Sequence, residues 1–253
     1  MENCKNKDFS LMADLHALLS GCKGVYTWWS LSGIERVRLA CGGHGIRNIL
    51  EYQESCKGEN TVMLLQTARY LMKNLKRVAE KKPVSEFVSY IENYKEELKE
   101  KCECVAAKGN EFNDSEVMRK VLKFNAIFRI VEASNRLMKA VASEGISKKN
   151  AWDQRAGVFL VEAANAHIIY FTYLYFMEKV FDVKNDKVRK VLMNLNVLFA
   201  VNRILERPNA LFESGYLNTQ QFKLLREVKN DLLEKLKPEK LGWLRFFCFL
   251  TSP

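Results

Sequence analysis

Apolar residues recur every three or four positions through most of this 253-residue chain, the spacing of helices that bury one face. Period-two alternation, the mark of a half-buried strand, is hard to find anywhere. With only four prolines and twelve glycines, long periodic stretches run uninterrupted. The chain is therefore expected to be all-α.

Interruptions of that period place the elements. Residues 9–31 predict a helix with Leu11, Leu15, Leu18, Leu19 and Cys22 on one face. Ser32-Gly33 predicts a break, then a short helix over 34–41. Gly42-Gly43-His44-Gly45 ends that helix in a loop, since glycines there allow positive φ. The next long helix is expected over about 59–78, with Val62, Leu65, Ala68 and Met72 on its repeat and Asn60 and Thr61 in capping positions. A charged stretch follows, with a predicted helix over 85–104 and a break at Lys108-Gly109-Asn110. Residues 115–143 predict an amphipathic helix started by Asp114 or Ser115 and stopped by Gly145. Residues 148–181 predict another, apolar on nearly all sides between Val158 and Met177, as a helix central to a bundle or buried at a subunit interface would be. A helix over 187–205, ended by Arg207-Pro208-Asn209, and a last one from Thr219 to Leu236 complete the series. The expected division is a first helical domain over 1–80, a charged connector over 81–115 and a second helical domain over 116–253.

Composition narrows the function classes. The net charge of +10 permits attraction to anions such as nucleic acid, acidic membrane surfaces or phosphorylated cofactors. The cations alternate with glutamates at helical spacing, as in Lys95-Glu96-Glu97-Leu98-Lys99-Glu100-Lys101, which marks a solvated face. No basic run is interleaved with aromatics, so no nucleic-acid partner is expected. Seven cysteines without framework-like spacing fit free thiols in a reducing compartment. Cys102 and Cys104 make half of a metal-ligand pattern, but with no second pair and no nearby histidine no metal is expected. The start, Met1-Glu2-Asn3-Cys4-Lys5, has no apolar signal region. Apolar runs such as 167–177 are too short and too flanked by charge for a membrane span. The chain reads as soluble and intracellular.

Two segments carry candidate chemistry. The first comprises Ile34, Glu35, Arg38, Ala40 and then Cys41-Gly42-Gly43-His44-Gly45; the second runs from Cys56-Lys57-Gly58-Glu59-Asn60-Thr61 to Lys73. A Gly-Gly-x-Gly loop alone says little. Together and in this order, the two segments closely resemble the signature of the peroxisomal acyl-CoA oxidases. Residues 116–236 also look like the C-terminal helical domain of that family, with Val161-Glu162-Ala163 and Ala166-His167 as fainter echoes. The fold so implied is helical bundles like the two C-terminal domains of acyl-CoA oxidase and dehydrogenase flavoproteins.

The resemblance implies a reaction of peroxisomal fatty-acid β-oxidation. Fatty acyl-CoA is oxidised on FAD to trans-2-enoyl-CoA, and oxygen is reduced to hydrogen peroxide. In the family the Cys-Gly-Gly-His-Gly turn lies against the flavin, typically that of the partner subunit. The resemblance thus assigns cofactor contacts to Gly42, Gly43, His44, Gly45, Asn60 and Thr61, and implies a homodimer or a heterodimer with a full-length oxidase. Glycines there let backbone N–H groups approach phosphate or adenine closely.

The base is different. In the family a glutamate directly precedes the glycine of Gly-Glu-Asn-Thr and removes the substrate α-proton; here that residue is Lys57. A lysine with an ordinary pKa of about 10.4 is protonated and cannot accept it. Glu59, two residues on, lies roughly 200° around a helix and should face elsewhere; because the family also has this second glutamate, the resemblance implies a structural or capping residue. No catalytic residue is assigned. The loop over 46–56 is shorter than the family's and lacks its Tyr-Ser and Gly-Leu-Pro features. Nothing before residue 15 resembles the family's N-terminal helical and β-barrel domains. The apolar run over 241–250 is unlike the family's continuation, and Thr251-Ser252-Pro253 is not a Ser-Lys-Leu type of peroxisomal address.

Two functional expectations follow. One is an acyl-CoA oxidase-like protein that is inactive as this chain alone. The other is a non-catalytic helical partner that dimerises with and regulates a full-length oxidase. Of the remaining residues, His44 is expected to make a structural or cofactor hydrogen bond, and His16 and His167 to be core histidines. Trp28 and Trp29 are expected to pack beside the glycine turn.

Overall fold

The computed structural model describes residues 11–42, 59–99, 103–106 and 108–237. Every regular element among them is a helix, as the periodicity predicts. Six are long: α1 (Met12–Ala40), α2 (Asn60–Ala79), α3 (Ser115–Ser143), α4 (Gly157–Phe181), α5 (Asp186–Glu206) and α6 (Thr219–Leu236). Two compact units result, interleaved along the chain. One comprises Met1–Tyr94 and Arg129–Ile168, the other Lys95–Phe128 and Ile169–Pro253. Helices α3 and α4 each give residues to both.

In the first unit α1 and α2 run antiparallel, with Asp14 beside Tyr70 and Lys23 beside Asn60. The face of α1 that is buried is not the leucine face. Asp14, Ala17, Ser20, Gly21, Gly24 and Val25 are buried, while Leu11, Leu15 and Leu19 are exposed. Small residues win because the approach is close: a methyl group on Gly21 would sit 2.5 Å from Cδ1 of Ile168, and one on Gly24 would sit 3.2 Å from the Asn60 carbonyl oxygen. His16, expected inside, is exposed on the outer side of the same helix. The expected break at Ser32-Gly33 does not occur, and α1 continues to Ala40. A single glycine costs a helix only about 1 kcal/mol.

Helix α2 is also rotated from its expected face. Leu64, Thr67, Ala68, Leu71 and Leu75 are buried and Val62 is exposed. Polar residues can occupy the inner face because they bond to backbone: Thr67 Oγ1 donates to the Ala17 carbonyl at 2.8 Å and Asn74 Nδ2 to that of Tyr70 at 3.0 Å. After α2, the helix expected over 85–104 is replaced by a 3₁₀ helix, Glu86–Ile91, and a single turn, Tyr94–Glu97. Its two buried residues, Val88 and Ile91, are three apart, a spacing that three residues per turn aligns on one side.

Residues 129–143 of α3 and 157–168 of α4 complete this unit. Arg129, almost fully buried, is held by Glu162 at 2.7 Å and Glu132 at 3.4 Å. His167 is buried as expected, with Nδ1 2.8 Å from the Tyr90 hydroxyl. The phenol donates when the imidazole carries its proton on Nε2. Burial pushes this histidine from its ordinary 6.5 to about 4, so it is neutral at pH 7. Residues 148–181 are helical throughout, with a π-helical stretch at Ala151–Ala156. It is the one span among the described residues long and apolar enough to cross a membrane. Ala163 to Tyr170 are all buried inside the protein, as in the core helix of a bundle.

The second unit is built on α5 and α6, the front of α3 and the rear of α4. Asn218 caps α6 by accepting from the Gln221 N–H at 2.9 Å, and Gln221 Oε1 accepts from the Asn218 N–H at 3.0 Å. The Gln221 amide then donates to the carbonyls of Cys104 and Ala106, both at 2.8 Å, tying the segment before α3 to α6. Phe124 stacks on Tyr216 with centroids 3.9 Å apart. The Tyr173 hydroxyl donates to the Ser115 carbonyl at 2.8 Å, at the open start of α3. Asp114, one of the two expected starters of α3, accepts from the Glu116 N–H at 2.8 Å, and Gly145 stops that helix with φ +63°. Cys104 is buried and burial pushes its thiol up. Among the described residues no cluster of three or more metal-ligating side chains is present.

Candidate functional site

The start of α2 carries the second signature segment. Its cap is Glu59, one residue before the expected pair, whose carboxylate accepts from the Thr61 N–H at 3.0 Å. The capping role expected for Glu59 is thus observed. A negative group here also suits the positive end of the helix dipole. The carboxylate lies where an anionic ligand would gather N–H donors, so this helix start is not an open phosphate cradle.

Asn60 is buried and engaged. Its Oδ1 accepts from Lys23 Nζ at 2.7 Å. A motif position expected to touch a cofactor thus also ties the start of α2 to a lysine of α1. Thr61 is exposed, and its backbone N–H donates to Glu59. Burial raises the Cys22 thiol of α1, against a hydrogen bond from Tyr26 that lowers it.

At the far end of α1, Gly42 has φ +58°, and a methyl group built on it would meet nothing within 4 Å. That is the open left-handed backbone a ligand can approach. No residue from Tyr26 to Ala40 is buried, although Trp28 and Trp29 are partly covered and Tyr26 packs on Trp29 at 5.5 Å. Gly24 lies against Asn60. Gly42, eighteen residues on from Gly24, is thus roughly 25 Å further along the axis from the start of α2. The two signature segments are not brought together within the described part of one chain. Gly43, His44, Gly45, Lys57 and Cys102 lie outside the described residues.

The pattern of both segments, and the helices that carry them, recurs in known proteins. A family model for acyl-CoA oxidase matches residues 114–243, and one for the acyl-CoA oxidase C-alpha1 domain matches residues 1–72. The chain belongs to the acyl-CoA oxidase family. Mouse peroxisomal acyl-coenzyme A oxidase 1 is 32% identical over 258 residues, which cover 98% of this chain and 39% of that protein. Caenorhabditis elegans acyl-CoA oxidase-1, solved with FAD and ATP, superposes with a TM-score of 0.80 at 27% identity, over 94% of this chain and 37% of that one. Acyl-CoA oxidase-2 of the same organism, solved with FAD, ascaroside-CoA and ATP, does so with a TM-score of 0.78 at 28% identity, over 94% and 35%. The chain spans less than two fifths of the length of these relatives.

Of the positions expected at a flavin, Gly42, Asn60 and Thr61 are described; Gly42 is open left-handed backbone and Thr61 an exposed residue at a helix start. Asn60, at the same helix start, is buried with its Oδ1 bonded to Lys23. Sequence reasoning missed Lys23 and also the carboxylate network of Asp14, Tyr70 and Ser85, in which Tyr70 and Ser85 hydroxyls donate to Asp14, each at 2.5 Å. An acidic residue on a face otherwise made of Ala17, Ser20 and Gly21 was the available signal.

Proposed function

We propose that this chain is an acyl-CoA oxidase-like helical module of peroxisomal fatty-acid β-oxidation that does not turn over acyl-CoA by itself. Lys57 carries this reading. Removing an α-proton from a thioester needs a group that can accept it at neutral pH, and a carboxylate at this position does so in the resembling family. An ammonium does not. Glu59 is no replacement, since its carboxylate is spent on the α2 cap. FAD, when bound, would supply the acceptor for the β-hydride. The residues of this chain that would touch it are Gly42, Gly43, His44, Gly45, Asn60 and Thr61. The 1–80 and 116–253 domains accord with family-model matches to 1–72 and 114–243.

A second reading is a non-catalytic partner that forms a heterodimer with a full-length oxidase, or a homodimer. The unburied half of α1 favours it: Ile34, Val37 and Leu39 are exposed on the arm that ends in the glycine turn. A turn that far from the start of α2 can serve a flavin held elsewhere than in its own chain.

The test uses the purified 253-residue chain. Peroxide release from palmitoyl-CoA with added FAD should stay at background, and Lys57→Glu should report whether the base is the limiting defect. Release by the unmodified chain at the rate of a full-length oxidase overturns the proposal. Co-expression with a full-length peroxisomal acyl-CoA oxidase should give a co-eluting complex on the second reading, and two separate peaks against it.

A further inference from the structure

A hydroxyl ties the connector between α2 and the 3₁₀ helix to α1. Ser85 Oγ donates to Asp14 Oδ2 at 2.5 Å, and Tyr70 Oη donates to the other oxygen of the same carboxylate at 2.5 Å. Asp14 is buried in the first turn of α1. Ser85 thereby latches the connector to both α1 and α2, and the fully buried Val88 and Ile91 follow it directly. As first residue before a 3₁₀ helix its hydroxyl would ordinarily cap that helix; here no side-chain cap is made, because the hydroxyl is turned to Asp14.

Around this latch lies a run of cations. Lys73, Lys76, Arg77, Lys81 and Lys82 precede Ser85, with Glu80 the only acidic residue among positions 73–85. Lys81, Lys82 and Pro83 are exposed. Lys81 stands in the left-handed region at φ 55°, and the Arg77 guanidinium donates to the Pro83 carbonyl at 2.7 and 3.0 Å. Ser85 itself is half-buried, just beyond this exposed basic stretch and with lysines three and four residues before it, so a kinase reaches its hydroxyl when the bond to Asp14 opens.

We propose that Ser85 is a phosphorylation site, and that its modification releases the connector from Asp14. A basophilic serine kinase transfers the terminal phosphoryl group of a nucleoside triphosphate. The Ser85 Oγ–P bond forms, the bond from that phosphorus to the bridging oxygen breaks, the diphosphate leaves and the hydroxyl proton passes to the kinase base. The hydroxyl is the donor to Asp14, and a phosphate ester has no such proton. The new group carries a charge of about −1.5 to −2 and would face a buried carboxylate. Like charges separate, and Arg77 in the last turn of α2, Lys81 after it, and Lys82, now paired with Glu80 at 2.7 Å, offer the opposite charge. The latch thus has two arrangements: hydroxyl on Asp14, or phosphate on the basic turn. The proposal is independent of the catalytic reading above.

The full chain incubated with the catalytic subunit of a basophilic serine kinase and Mg-ATP tests it. Mass spectrometry should place one phosphate on the peptide containing Ser85, absent from Ser85→Ala and kept in Ser89→Ala. Amide exchange over 86–91 should then quicken by about tenfold or more, the loss of one hydrogen bond to a charged group. Ser85→Ala keeps a foldable chain and should show part of that quickening without kinase. A chain that takes no phosphate at Ser85 while a free peptide of residues 77–91 does overturns the proposal. So does a phosphorylated chain whose exchange over 86–91 is unchanged.

Discussion

Lowering the pH through the titration of His167 should unfold the first unit preferentially. Burial holds this imidazole at about 4 against an ordinary 6.5, a difference of 2.5. At about 1.4 kcal/mol per unit, placing a proton on it inside the fold costs roughly 3 kcal/mol. The sign follows from the depressed folded value. The neutral ring stabilises the fold fully above 6.5; the contribution declines as pH falls below that and is lost by about 4. Near pH 5 the loss is about 2 kcal/mol, a large part of the 5–15 kcal/mol typical of a folded domain. The control is His167→Gln, which can still accept from Tyr90 and does not titrate. Urea unfolding of both proteins at about pH 7 and pH 5 isolates the histidine, because the carboxylates titrate alike in each. Wild type should lose about 2 kcal/mol more than the variant across that interval. Parallel losses would refute the assignment of a buried neutral imidazole.

Three further outcomes are expected. Gly21→Ala places a methyl group 2.5 Å from Ile168 Cδ1 and 2.9 Å from Thr67 Oγ1; overpacking of about 1–3 kcal/mol should outweigh the helix-propensity gain of about 1 kcal/mol, and the midpoint of thermal melting should recover in part when Ile168→Val is added. Gln221→Ala removes two bonds to the 104–106 segment and one arm of a capping box, so chemical denaturation should show a loss of about 2–3 kcal/mol. Arg129→Ala leaves Glu132 and Glu162 facing one another without their shared cation; a loss of about 3 kcal/mol that shrinks on acidification would be read from denaturation at two pH values.

The long helices were legible in the sequence where period, cap and stop signals agreed, whereas the helix expected over 85–104 gave way to a 3₁₀ helix and a single turn. The bounds of α6, with Asn218 ahead of it and Leu236 at its end, are as expected, and so are those of α3. The inner faces of α1 and α2 were not legible. Leucine count points one way, and close packing of Ala17, Gly21 and Gly24 points the other; only the partner, Ile168, distinguishes them. The family was legible in two short segments, and the matched families agree with that reading. The commitment of Asn60 to Lys23 was not, since the pair is separated by 37 positions and neither residue signals the other. The capping role of Glu59 was legible from the resemblance, helix geometry adding only that it faces away from the position of Lys57.

Helix α1 is seated through Val25 and then has no buried residue until its end at Ala40. Mechanically it is a cantilever, clamped at one end by the glycine contacts and loaded at the other by whatever meets the Gly42 turn. A small tilt at the clamp is magnified at the tip, and a displacement of the tip strains the clamp at Gly21 and Gly24, where no methyl group can be admitted without movement. Stiffness at those two glycines, rather than any residue near the tip, therefore sets how accurately the turn is presented.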